Sequence, residues 1–132
     1  MAEFEAPPRP AFNSDVEKLL EGAVDLHCHS GPAAMPRILD HHDQLMEAAE
    51  AKFKAVVFKD HYYLGTPHAI LLEKLFPETV VRLFSGIVLN NASGGINPHA
   101  VDHAVRLGGK IVWMPTFSAA NHIAKVATEA KG

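Results

Sequence analysis

The strongest constraint on this chain is a repeated order: a short apolar run, then a capped helical stretch, several times over. Strand-like runs are expected at about residues 23–29, 54–61, 80–90 (broken at Gly86) and 110–115. Helix-start signals stand between them. Asp40 opens a stretch through Lys52, Thr66-Pro67 opens one to Phe76, and Asn97-Pro98 opens one that Gly108-Gly109 stops. Ser14-Asp15-Val16-Glu17 fits a capping box for a short helix at 15–21, ended by Gly22, and Ser118 opens a last helix. Alternation of this kind predicts an α/β fold with parallel strands and right-handed crossovers. About four β–α units fit either a small open sheet or the first half of a (β/α) TIM-type barrel. In both, ligands bind at the carboxyl ends of the strands.

The chemistry-bearing residues fall at those ends. In Asp25-Leu26-His27-Cys28-His29, strict strand alternation puts Asp25, His27 and His29 on one face and Cys28 on the other. Imidazoles at i and i+2 can converge on one divalent metal, with zinc, manganese or iron the fitting ions. Asp25, one layer deeper, is expected either to orient an imidazole or to fill the floor as a polar plug. Cys28, facing the helices, reads as a buried structural thiol. The second run, Ala55-Val56-Val57-Phe58-Lys59-Asp60-His61, aims Lys59 and His61 at the same interior. A lysine there is costly unless paired or modified. Lys59 is therefore a candidate catalytic or substrate-steadying group, a carbamylated bridge, or a cation neutralised by Asp25 or a nearby carboxylate. His61 is expected as a third ligand or a substrate contact.

Three further residues are candidate substrate contacts: Asn90 in the loop before Gly94-Gly95, His122 after the fourth run, and His68 near the His61 loop. His99-Ala100-Val101-Asp102-His103 has inverted zinc-protease spacing, but with aspartate for glutamate it reads as a helix face. His41 and His42, in a helix's first turn, are expected to face solvent.

Composition narrows the function classes. The net charge of −3 and the lack of a basic cluster argue against nucleic-acid binding. No apolar stretch reaches the roughly 18 residues of a membrane span. Residues 1–13, acidic and proline-rich, read as an extended arm rather than a signal peptide. One cysteine rules out an internal disulfide and fits a cytoplasmic setting.

Taken in order, these segments resemble a known group. Val24-Asp25-Leu26-His27-Cys28-His29 resembles the strand-one H-x-H signature of the amidohydrolase superfamily and of the related polymerase-and-histidinol-phosphatase (PHP) hydrolases. Ala55 to His61 resembles the strand-two segment of the latter. Leu89-Asn90, Gly94-Gly95-Ile96-Asn97-Pro98 and Val112-Trp113-Met114-Pro115-Thr116 look closest to an amidohydrolase-like branch. The resemblance implies a metal-dependent hydrolase acting on a small molecule, with one or two divalent ions held by His27, His29 and His61. It also implies that residues 14–132 are the N-terminal half of a barrel, because members carry further histidines and a catalytic aspartate on later strands. Asn90 stands where a PHP-type enzyme favours glutamate. Two alternatives stand beside this one: a non-catalytic half-barrel that self-associates, and a metal-dependent lyase or decarboxylase on the same scaffold.

Overall fold

The computed structural model describes residues 13–129, so the arm expected at 1–13 lies, but for Asn13, outside the described residues. The elements are α1 (Ser14–Leu20), β1 (Val24–Cys28), α2 (His41–Glu50), β2 (Ala55–Phe58), α3 (Thr66–Leu75), β3 (Arg82–Phe84), β4 (Gly86–Val88), α4 (Pro98–Arg106), β5 (Ile111–Trp113) and α5 (Ala120–Glu129). The protein is α/β with parallel strands in open sheets. One sheet runs β1-β2-β3 and the other pairs β4 with β5. No closed barrel forms among the described residues.

The local signals differ from expectation in detail. Asn13, one residue upstream of Ser14, caps α1, its side chain accepting from the Asp15 and Val16 amides. Asp40 and Asn97 cap α2 and α4 as expected. Thr66 does not cap α3. Gly65 holds that position, and Thr66 is the first helical residue with Pro67 beside it. Gly65 belongs there on packing grounds, since an added Cβ would sit 2.3 Å from Ser85 Oγ and 2.7 Å from the Phe58 ring. Each strand is shorter than its apolar run, and the surplus residues at the carboxyl ends become the loops that carry the site.

Apolar spacing explains the core. Leu45 and Ala48 of α2, with Ala69 of α3, pack on Val56, Phe58 and Leu83 from the strands. Cys28 packs against this cluster, so its thiol faces the helices. Burial, with Asp25 adding to it, pushes the thiol pKa up, away from a reactive thiolate. A second cluster joins Ile87 and Leu89 to Ala104 of α4.

β3 and β4 form one chain direction interrupted at Ser85, and the interruption hands the pairing from β2 to β5. Ser85 Oγ donates to the Phe58 carbonyl at 2.7 Å, while the Ser85 carbonyl accepts from Lys110 N at 2.8 Å. Gly86 follows because nothing larger fits. A Cβ there would stand 1.8 Å from the Ile111 carbonyl oxygen. Gly86→Ala is thus expected to cost at least about 2 kcal/mol through forced separation of β4 from β5. Urea unfolding would measure it, and an unchanged midpoint would contradict this packing.

Candidate metal and substrate site

β1 does not keep strict alternation. Between Asp25 and Cys28 its register against β2 shifts, three steps on β1 matching two on β2. The Asp25 carboxylate stabilises this bulge by accepting the His27 amide at 2.8 Å. Leu26 and His27 are consequently both exposed in succession. Asp25 is thus bound to its own strand, and neither an imidazole nor Lys59 is its hydrogen-bond or ion-pair partner among the described residues.

The bulge brings His27 and His29 together. Their Nε2 atoms are 3.3 Å apart. Two nitrogens bound at zinc distances to one tetrahedral ion stand about 3.3 Å apart, so the pair matches one edge of such a site. His61 stacks on His29, with ring centroids 4.7 Å apart and an interplanar angle of 16°. Stacked rings do not aim their nitrogens at a common point. Among the described residues, the group of three whose donor atoms all lie within 4.8 Å is Asp40, His42 and Asp43, not the three imidazoles. That trio is explained by helix capping, because the Asp40 side chain accepts the Asp43 amide.

The surroundings position His61 closely. Its Nδ1 is 3.0 Å from Thr116 Oγ1. Asn90 holds both: its amide nitrogen donates to the His61 carbonyl and to Thr116 Oγ1, and its oxygen accepts the Thr116 and Ser118 amides. All four hydrogen-bonding capacities of Asn90 are taken, so it acts as an internal clamp joining the ends of β2, β4 and β5. Phe117 packs on His61 at 4.2 Å and on His122 at 5.5 Å. His122 itself is exposed on α5, with the Phe117 ring between it and His61.

Lys59 is 4% exposed. Its ammonium lies 5.4 Å from the centroid of the Trp113 ring, and no carboxylate pairs with it among the described residues. Burial lowers its pKa. Burial also holds His61 down to about 4, helped by His29, Lys59, Arg37 and His27. His29 is lowered by burial and then by Arg37, Lys59 and His27. His29 and His61 are therefore neutral at pH 7, the state in which an imidazole can ligate.

Sequence reasoning missed Arg37 and a polar network beside it. Arg37 Nη2 is 3.4 Å from His29 Nδ1, a long contact in which the guanidinium can only donate. Holding an ion through both Nε2 atoms requires His29 to carry its proton on Nδ1, so Arg37 must then turn away. His41 is buried, not solvent-facing as expected, because it lies at i−4 to Leu45 and i−7 to Ala48 on the core stripe of α2. That spacing was the available signal.

His41 Nε2 is 2.8 Å from Tyr63 Oη, which donates to the Pro32 carbonyl at 2.6 Å. Tyr63 has one proton, so His41 Nε2 must donate to it. Ser30 Oγ lies 2.5 Å from both His41 Nδ1 and Gln44 Oε1, and it can donate to only one of them. Donation to Gln44 requires a doubly protonated His41. A neutral ring requires the Gln44 amide reversed, so that it donates to Ser30 and Ser30 to His41. Burial and then His68 push His41 down to about 4, against Asp40, so the neutral order holds at pH 7. His68 sits with this network, 5.6 Å from His41 and 5.1 Å from Tyr63, and not with the His27–His29 pair.

His99, Asp102 and His103 are exposed on α4, and Asp102 pairs with Arg106 at 2.7 Å. Among the described residues no helix is long and apolar enough to cross a membrane.

Residues 22–132 match a family model described as a family of unknown function, DUF6282. No curated protein and no solved structure matches the chain.

The buried neutral His41 makes stability depend on pH. Its folded pKa, about 4, lies below the ordinary value near 6.5, so the unfolded chain binds the extra proton first. Stability is full above about pH 6.5 and falls as pH drops toward 4. Urea midpoints at pH 7.5, 6 and 5 should decrease in that order. A level profile would contradict a neutral His41.

Proposed function

The chain belongs to the family of unknown function DUF6282, and from that premise we propose that it is a metal-dependent hydrolase of the amidohydrolase type acting on a small molecule. The observation that carries this is the His27–His29 pair at the carboxyl end of β1, with Nε2 atoms 3.3 Å apart. Imidazole nitrogens suit zinc, with manganese or iron also fitting, and one ion or two. Such an ion, when bound, lowers the pKa of a water and polarises a scissile carbonyl or phosphoryl oxygen. The parallel strands with helices between them support a half of a β/α barrel, in which this end is the ligand-binding end.

The chain's own groups have distinct tasks in this reading. His27 and His29 hold the ion. His61, oriented by Thr116 and Asn90, is the next donor or contacts the substrate. Lys59 lies over Trp113 with no carboxylate paired to it among the described residues, suited to steady a negative group. Asp25 fixes the bulge that brings the first two imidazoles together. Among the described residues the three imidazoles do not all converge within 4.8 Å, so in this reading His61 turns toward the ion that His27 and His29 hold. A lyase or decarboxylase using the same donors is separated from a hydrolase by substrate profiling.

His27→Ala with His29→Ala should reduce zinc content from near-stoichiometric to background while leaving far-UV circular dichroism in place. Elemental analysis of the purified protein measures it. Equal metal in the parent and the double variant would overturn the site.

A second reading, a non-catalytic half-barrel that self-associates, is favoured by the open edges. Among the described residues β1 and β5 are each paired on one side only, and Val24, Leu26, Val112 and Met114 are exposed along them. A twofold axis parallel to the strands would set β1 of one copy beside β5 of the other with every strand parallel. Light scattering coupled to size exclusion should then give the dimer mass. A monomer at every concentration would remove this reading.

A further inference from the structure

A cleft of about 400 Å³ opens beside His29, between the loop that follows β1 and the start of α2. Cys28, Pro36, Ile38 and Leu39 give it apolar walls, and Ser30 and Gln44 add polar side chains to its lining. These two are nearly out of reach of bulk water, Ser30 at 1% and Gln44 at 6% exposed. The Gln44 amide has one hydrogen-bond partner among the described residues, Ser30 Oγ. Its other amide atom is what it has left to offer the cleft.

The identity of that atom follows from counting protons. Tyr63 gives its only proton to the Pro32 carbonyl, so His41 Nε2 donates to Tyr63. Burial, and then His68, keep His41 neutral at pH 7. A neutral ring protonated on Nε2 accepts at Nδ1, so Ser30 donates to His41. Ser30 then has no proton for Gln44 and must accept from the amide nitrogen. The Gln44 oxygen is therefore the atom turned away from Ser30, and it is an acceptor in need of a donor.

The other lining groups narrow what that donor can be. Arg37 also lines the cleft, which disfavours an ammonium. Nor does Arg37 call for an anion, because it already acts on a carboxyl group: burial raises the Asp60 pKa, and the Tyr62 amide and Arg37 oppose it. A neutral donor remains, and the volume and apolar walls suit a small molecule.

We propose that this cleft binds a small neutral molecule with an apolar body, held by a hydroxyl or N–H group that donates to the Gln44 oxygen. Under the hydrolase reading above, on which this one further step rests, the ligand is the non-reacting flank of the substrate, and Gln44 selects it beside His29. Binding in the cleft does not depend on that reading.

The full chain, labelled with nitrogen-15 and without added metal, would be titrated with three probes and followed by its amide NMR signals, the Gln44 side chain included. The probes are cyclohexylmethanol, its isomer methoxycyclohexane, which has no donor, and cyclohexanecarboxylate. Saturable shifts at Gln44, Ile38 and Leu39 are expected, with the alcohol bound about fivefold more tightly than the ether. Gln44→Met keeps the side-chain length and removes the acceptor, so it should erase that preference and leave the ether's affinity in place. Should Gln44→Met fail to fold, Ile38→Asp on the exposed wall should weaken alcohol and ether alike, by about fivefold or more. The proposal is overturned by no saturable shift, by an ether that binds as tightly as the alcohol, or by a carboxylate that binds tightest. A preference that survives Gln44→Met, or binding unmoved by Ile38→Asp, overturns it as well. Metal content plays no part in this titration, so the cleft and the His27–His29 site stand or fall separately.

Discussion

The transfer of strand pairing at Ser85 and Gly86 is the constraint on which the rest of the molecule depends. Ser85 is bonded to the last residue of β2 through its hydroxyl and to the start of β5 through its carbonyl. One segment thereby belongs to two sheets. Without this handover β5 would have no place beside β4, and Trp113 and Thr116 would not meet Lys59 and His61. Gly86 permits it because the β5 backbone occupies the space a side chain would need. The cluster is therefore assembled by backbone pairing first and by side-chain contacts second.

Charge is held down at the site. Burial lowers His29, His61 and Lys59 and raises Asp60, so each of these groups is pushed away from its charged form. A fold optimised only for stability would replace such groups with apolar ones. At the opposite ends of the strands the charges are paired, Arg82 with Glu73 and Lys52 with Glu21.

The parts legible in sequence were those governed by neighbours along the chain. Asp40, Asn97 and Pro98 mark helix starts because capping is a local event. The parallel α/β order follows from element spacing, and the approach of His27, His29, Lys59 and His61 to one region follows from their places at strand ends. What depended on contacts distant in sequence was not legible. The bulge breaks the alternation by which Asp25 was assigned to the imidazoles, and no residue type signals it. Arg37 lies in a loop whose path is set by the Gly31–Asp40 bridge. Asn90 is an internal clamp because Thr116 and Ser118 arrive from β5. The burial of His41 was readable in principle, from its helical spacing to Leu45 and Ala48, but the first-turn position suggested exposure instead.

The hydrogen-bond chain through Gln44, Ser30, His41 and Tyr63 runs in one direction and ends on the Pro32 carbonyl. Each member is a donor to the next because the next has already committed its own proton further along. A single apolar substitution in the middle leaves the donor before it and the acceptor after it buried without a partner. These four positions should accordingly behave as one evolutionary unit, drifting together among the members of the family while the surface around them varies freely.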